Sequence, residues 1–284
     1  MKRLFPWRAC RSNNRIGAVV GCVALLLPML AFAELMIYPT RLVVEGNQRA
    51  TKVELINNSN QKATYRITLV NRRMDEFGAF SEVDVARPDE QFAIDMLRYS
   101  PRQVTLPPGA GQTVRIMVRK PAGLAVGEYR SHLMFSRQPD VDGMQHSNTG
   151  SDTDGVGVKV RTLVGATIPV IVRHGATEAK VQLEDLELGI QGDRAILGFT
   201  IERDGSRSVY GDILATFIPE QGPPVVAGRA NGVAVYTPNA KRAASILLDQ
   251  LDVNEIRHGT LRLVYKEQAE DGARVLAERL LKVP

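Results

Sequence analysis

Cysteine and tryptophan are scarce and confined to one end of the chain: Cys10, Cys22 and Trp7 all lie in the first 33 of 284 residues. Beyond that point no thiol exists for a disulfide scaffold, a cysteine nucleophile or a cysteine-type zinc site. Nor is there an indole to stack against a sugar ring, which weighs against a carbohydrate-binding β-sandwich. Charge imbalance is missing too. Lys2, Arg3, Arg8, Arg11 and Arg15 precede residue 34 without a single acid, so the other 31 of the 36 basic residues match the 31 acidic ones. A chain with no net charge has no long-range attraction for polyphosphate, and no nucleic-acid partner is expected. Catalytic motifs are also lacking. His132, His146, His174 and His258 are scattered without ligand spacing, and neither a GxSxG elbow nor a phosphate-cradling glycine loop occurs. Asp152-Thr153-Asp154-Gly155 resembles half of a calcium loop, but the remaining ligand positions are not filled. A non-enzymatic protein without metal, cofactor or small-molecule substrate is therefore expected.

The first 33 residues carry the three parts of a secretory signal: a basic start, an apolar run over Ile16–Ala33, and Ala31 and Ala33 as an A-x-A cleavage site before Glu34. An uncleaved anchor is disfavoured because the run is short and contains Pro28. Lipidation at Cys22 is disfavoured because the apolar run continues past it. The expected product is an exported chain, and the 44% apolar content of the full sequence is ample for a packed core. Its length suits two domains.

Most of that chain alternates with period two. Thr51, Val53 and Leu55 alternate with Lys52 and Glu54; Tyr65, Ile67 and Leu69 do so with Arg66 and Thr68. Val114, Ile116 and Val118 follow the same rule, as do Tyr129, Ser131, Leu133 and Phe135 against Arg130, His132 and Met134. These windows predict half-buried strands, separated by turns at Glu45-Gly46-Asn47, Asn57-Asn58-Ser59-Asn60, Phe77-Gly78 and Pro107-Pro108-Gly109. Pro139–Gly157 is polar and reads as a long loop. Then Val156, Val158, Val160, Thr162, Val164, Ala166, Ile168, Val170 and Val172 share one parity, with Leu163 and Ile171 as apolar exceptions on the other. A strand of about 17 residues would span more than about 50 Å, so it must bend, break or reach beyond its own sheet. Pro169 places part of it at an edge or bulge. Further alternating segments lie at Ala195–Ile201, Ile213–Phe217, Gly232–Tyr236, Leu261–Tyr265 and Val275–Leu281, while Ala243–Arg257 is ambiguous between strand and short helix.

Three blocks in this order resemble the PapD-like periplasmic pilus chaperones. They are Ile37-Tyr38-Pro39-Thr40-Arg41-Leu42-Val43-Val44-Glu45-Gly46; Tyr99 to Gly109 with Thr113-Val114-Arg115-Ile116; and Gly127-Glu128-Tyr129-Arg130-Ser131-His132-Leu133. The match covers residues 35–175 well and the rest in outline. The resemblance implies an all-β chain of two immunoglobulin-like β-sandwich domains in a boomerang arrangement, residues 34–174 and 175–284 after the signal of residues 1–33. It implies a periplasmic location and fimbrial or pilin subunits and an outer-membrane usher as partners. A self-dimer of the free protein is left open, as is a different class, a structural or adhesive surface module without a client.

In this family an apolar strand is lent to an incomplete subunit, covering its groove and its unpaired edges. Val158, Val160, Thr162 and Val164 are the lending residues implied here. A basic cleft between the domains then grips the subunit's terminal carboxylate. Arg41 matches the first-strand arginine of that cleft, and guanidinium suits a bidentate bond to a carboxylate. The family's lysine on the long strand aligns with Pro169, and the acid of the signature strand aligns with Arg130. On that alignment the interdomain ion pair is lost and Arg173 lacks its acid partner. Arg41 with Arg173, and Arg130 as a third member, are the expected replacement cluster.

Overall fold

The computed structural model describes residues 34–139, 165–268 and 273–284. The first part of the chain forms β1 (Leu35–Tyr38), β2 (Leu42–Val44), β3 (Ala50–Asn57), β4 (Ala63–Val70), β5 (Arg72–Met74), β6 (Phe80–Glu82), β7 (Leu97–Ser100), β8 (Gln103–Leu106), β9 (Gly111–Val118), β10 (Gly127–Arg137) and β11 (Gly165–His174). The second part forms β12 (Ala179–Gln191), β13 (Arg194–Gly205), β14 (Val209–Pro219), β15 (Val225–Val235), β16 (Lys241–Leu247), β17 (Gly259–Glu267) and β18 (Val275–Val283). Two short 3-10 turns, Ile94–Met96 and Val253–Glu255, are the helical elements among the described residues.

In the first sandwich a sheet ordered β1-β3-β9-β7 faces one ordered β2-β11-β10-β4-β8; in the second, β12-β13-β16 faces β15-β14-β17-β18. Each pair encloses its own core. Leu42, Val44, Val53, Leu55, Val114, Ile116, Leu133, Phe135, Val170 and Val172 fill the first, and Leu197, Ile201, Ile213, Phe217, Leu261, Leu263 and Tyr265 the second. The alternation in sequence therefore sets which face turns inward. Burying each such aliphatic side chain contributes roughly 1.5–3 kcal/mol.

The described part of the long strand is β11, antiparallel to β10 and parallel to β2. Its pairing with β2 involves only Val170–Val172, so Pro169 lies where β11 is paired on one side. That satisfies the edge expected of a residue without an N–H. Val158, Val160, Thr162 and Val164 lie outside the described residues. The ambiguous window resolves into β16 followed by the turn at Val253–Glu255. Three strands lay in neither an alternating window nor a block of resemblance: β12, whose thirteen residues break register between Glu184 and Glu187, and β5 and β6 of the hairpin.

One expectation fails on β10. Arg130 and His132, assigned to a half-exposed face, are 4% and 3% exposed. The outer face of β10 and β11 is covered by the second sandwich and by the β5–β6 hairpin. Met74, Ile171, Ala234 and Tyr236 form a separate buried cluster there, with Val43 and Tyr210 packed against it. Ile171, the apolar exception in the long alternating run, is thus a contact between sandwiches.

The hairpin extends this contact. Asn239 Nδ2 donates to the carbonyls of Met74 (2.9 Å) and Asp75 (3.2 Å), and the Ala243 N–H donates to the carbonyl of Glu76 (2.8 Å). At the tip, Gly78 has φ +87°, and a Cβ there would stand 2.4 Å from the Arg242 guanidinium. Gly78→Val combines that collision with a left-handed backbone cost of about 1–3 kcal/mol. It is expected to lower the melting temperature and to make residues 175–178 more sensitive to limited proteolysis.

Candidate functional site

The chain crosses from one sheet to the other between β1 and β2, since β1 pairs with β3 while β2 pairs with β11. Arg41 closes that crossing, at the end of the first sandwich nearest the second. Its guanidinium carbon lies 4.8 Å from the ring centroid of Tyr210 on β14, a cation–π distance that orients the side chain across the junction. Below it opens a cleft of ≈ 610 Å³ with walls from both sandwiches. Arg41, Glu45, Gln48 and Arg173 line one side, and Arg207, Ser208, Tyr210, Glu267 and Arg274 the other. Four arginines against two glutamates make the lining net cationic.

The floor of the junction is a buried ion pair that the alignment had placed elsewhere. Glu128, not Arg130, lies opposite Arg173 across the β10–β11 ladder. Arg173 Nε donates to Glu128 Oε2 at 2.9 Å, and its Nη1 pairs with Glu45. Arg173 therefore has two acid partners, both in the first sandwich, which corrects the expectation that it lacks one. The Glu128 side chain is 0% exposed, and it also accepts the Ser208 N–H (3.1 Å) and the Ser208 hydroxyl of the second sandwich. Ser208 Oγ accepts in turn from the Thr237 N–H at 3.0 Å. Burial works against the Arg173 charge, but Glu128 and Glu45 outweigh it, and the guanidinium pKa is raised. Lys120 Nζ holds the same strand end through the carbonyls of Arg173 (2.8 Å) and Gly46 (3.1 Å).

The expected cationic cluster is thus divided. Arg41 and Arg173 share the cleft, with Arg173 held by its carboxylates; Arg130 does not line it. Arg130 is packed between Tyr236 at 4.4 Å and Phe80 at 5.8 Å, so it is neither a solvated surface arginine nor a cleft residue. Burial lowers its pKa, partly offset by Tyr236, Glu128 and Glu90. Beside it, His132 stacks edge-on against Phe80 with ring centroids 5.4 Å apart. Burial first, then the Arg130 and Arg72 charges, push the His132 pKa down from 6.5 to about 3.

Sequence reasoning missed Glu128, Ser208, Tyr210, Phe80 and Tyr236. A clue lay in the ladder itself: on the outer face Glu128 opposes Arg173, Arg130 opposes Ile171, and His132 opposes Pro169. Apolar residues on the supposed solvent face signal a covered sheet. Among the described residues no group of three His, Asp or Glu side chains could hold a metal ion.

No protein-family model matches the chain, and no curated protein matches its sequence. Among solved structures it is similar to the Pseudomonas aeruginosa CupB2 chaperone, at 12% identity and TM-score 0.46, covering 88% of this chain and 100% of that one. It is also similar to the CsuC–CsuE chaperone and tip adhesion subunit pre-assembly complex of Acinetobacter baumannii, at 13% identity and TM-score 0.44, covering 88% and 98%. A third is the Salmonella enterica SafB chaperone in complex with SafA pilin, at 12% identity and TM-score 0.41, covering 89% and 97%.

Two outcomes follow from the buried charges. Glu128→Ala leaves Arg173 with Glu45 alone and strips Ser208 of its acceptor; breaking a buried pair in this way costs roughly 3–5 kcal/mol. Urea unfolding should show that loss, and a cycle with Arg173→Ala should show strong coupling. His132 takes up a proton below pH 6.5 when unfolded but only near 3 when folded, so its contribution to stability is lost as pH falls from 6.5 to about 3. The slope reaches at most ~1.4 kcal/mol per pH unit, and His132→Gln should flatten it in unfolding titrations.

Proposed function

We propose that the protein is a periplasmic, non-enzymatic chaperone that holds fimbrial subunits and passes them to an outer-membrane usher. The observation that carries this reading is the net-cationic cleft between two β-sandwiches, with Arg41 aimed across it by Tyr210. A small anion such as a chain-terminal carboxylate is the complementary ligand, because a guanidinium can engage both oxygens at once.

The second half of the function is strand donation by Val158, Val160, Thr162 and Val164, which immediately precede β11 in sequence. A subunit lacking one strand exposes unpaired backbone along its groove, and an alternating apolar strand from another chain satisfies both the hydrogen bonds and the groove. Arg41 sets the register by fixing the end of the client, and the valines fill the positions that follow. Release needs no nucleotide, since exchange for a better-fitting strand of the next subunit supplies the driving force. In the free protein the same apolar strand favours self-association.

Purification of the tagged protein from periplasm, with identification of the polypeptide that copurifies, tests the reading. A fimbrial subunit should copurify and should accumulate only when this protein is coexpressed; a protein that purifies alone and leaves subunit levels unchanged would be a structural or adhesive module. Arg41→Ala should lower the subunit yield several-fold. Val160→Asp or Val164→Asp should abolish capture while leaving the melting curve intact; an equal loss of folding would return these valines to the core.

A further inference from the structure

The geometry points to Arg207, on the second sandwich, as the second cation of the cleft, so that a terminal carboxylate is gripped from both domains at once. This rests on the chaperone reading for its ligand class and adds a residue outside the first domain. Pro169 offers no charge where the resemblance places a lysine, and neither substitute named from sequence is available. Arg173 is held by Glu128 and Glu45, and Arg130 is enclosed by Tyr236 and Phe80.

Arg207 differs from these on each count. It lines the same cleft as Arg41. Its Nη2 stands 3.9 Å from Glu267 Oε1, beyond hydrogen-bond reach, while Arg274 takes that oxygen at 3.1 Å. Among the described residues its guanidinium donates no hydrogen bond, so its planar fork is open to a carboxylate. The residue is nevertheless well placed. Its N–H donates to the Glu178 carbonyl (3.2 Å), its own carbonyl accepts from Arg203 Nη1 (3.1 Å), and the adjacent Ser208 is tied to Glu128 of the first sandwich. With 27% of its side chain exposed, the charge is partly desolvated, which strengthens a bidentate bond relative to a fully exposed pair. The cleft volume of ≈ 610 Å³ exceeds a lone carboxylate and falls within the ~300–1,000 Å³ typical of ligand pockets, room for the last residues of an extended chain.

The experiment titrates the full-length protein, expressed with its own leader, with N-acetyl-trialanine bearing either a free carboxylate or a carboxamide. The Nε–Hε NMR resonances of the arginines report the site. The carboxylate peptide should shift both Arg41 and Arg207 saturably, and the amide should shift neither. Arg207→Ala should weaken the carboxylate peptide about 10- to 100-fold without moving the melting temperature, with partial recovery in Arg207→Lys. If Arg41 responds while Arg207 does not, or if Arg207→Ala binds like the wild type, the assignment of Arg207 is overturned and the Arg41 anchor stands. If the carboxylate and amide peptides behave alike, the carboxylate cleft itself is overturned.

Discussion

A single carboxylate, Glu128, holds the two sandwiches in register. It is fully enclosed, where an ionised group is costly unless its charge and lone pairs are met. Arg173 meets the charge from the same sheet, and Ser208 meets the remaining acceptor sites from the other sandwich. Both partners are required together. Separating the sandwiches would leave Glu128 without Ser208, and the junction is therefore cooperative in a way that apolar contact alone would not make it. The apolar cluster of Met74, Ile171, Ala234 and Tyr236 adds buried contact between the sandwiches.

The cleft follows from that junction. Because Ser208 is fixed, its neighbours Arg207 and Tyr210 are presented to the first sandwich at a set distance. The crossing from β1 to β2 brings Arg41 to meet them. Charge is distributed by role: Arg173 and Arg130 hold the structure, while Arg41 and Arg207 face the cleft. This division explains how a chain with no net charge beyond residue 33 can present a cationic site.

Strand positions were legible in the sequence because one face of each strand packs against a core, and period two records that face directly. Val53, Leu55, Val114, Ile116, Leu133 and Phe135 are buried as their parity demanded. The outer face of β10 was not legible. Arg130 and His132 are polar residues at positions that are solvent-facing in a lone sandwich, and only the docking of a second unit buries them. The same blindness moved the acid of the ion pair from 128 to 130, since both residues lie on one face and pattern alone cannot say which of them an arginine opposes. Strand β12 escaped notice because its register break shifts the parity halfway along. The lending segment was read from sequence alone, and its four residues lie outside the structure described.

The β5–β6 hairpin touches the second sandwich through Asn239, Ala243 and Arg242, yet it contributes little to either main core. The hairpin therefore adds a second set of contacts, beside the Glu128–Ser208 bonds, that fixes one sandwich on the other without belonging to either main core. Its hydrogen bonds reach Asn239 and Ala243 and neither interior, so a change in the hairpin acts first on how the two walls of the cleft meet.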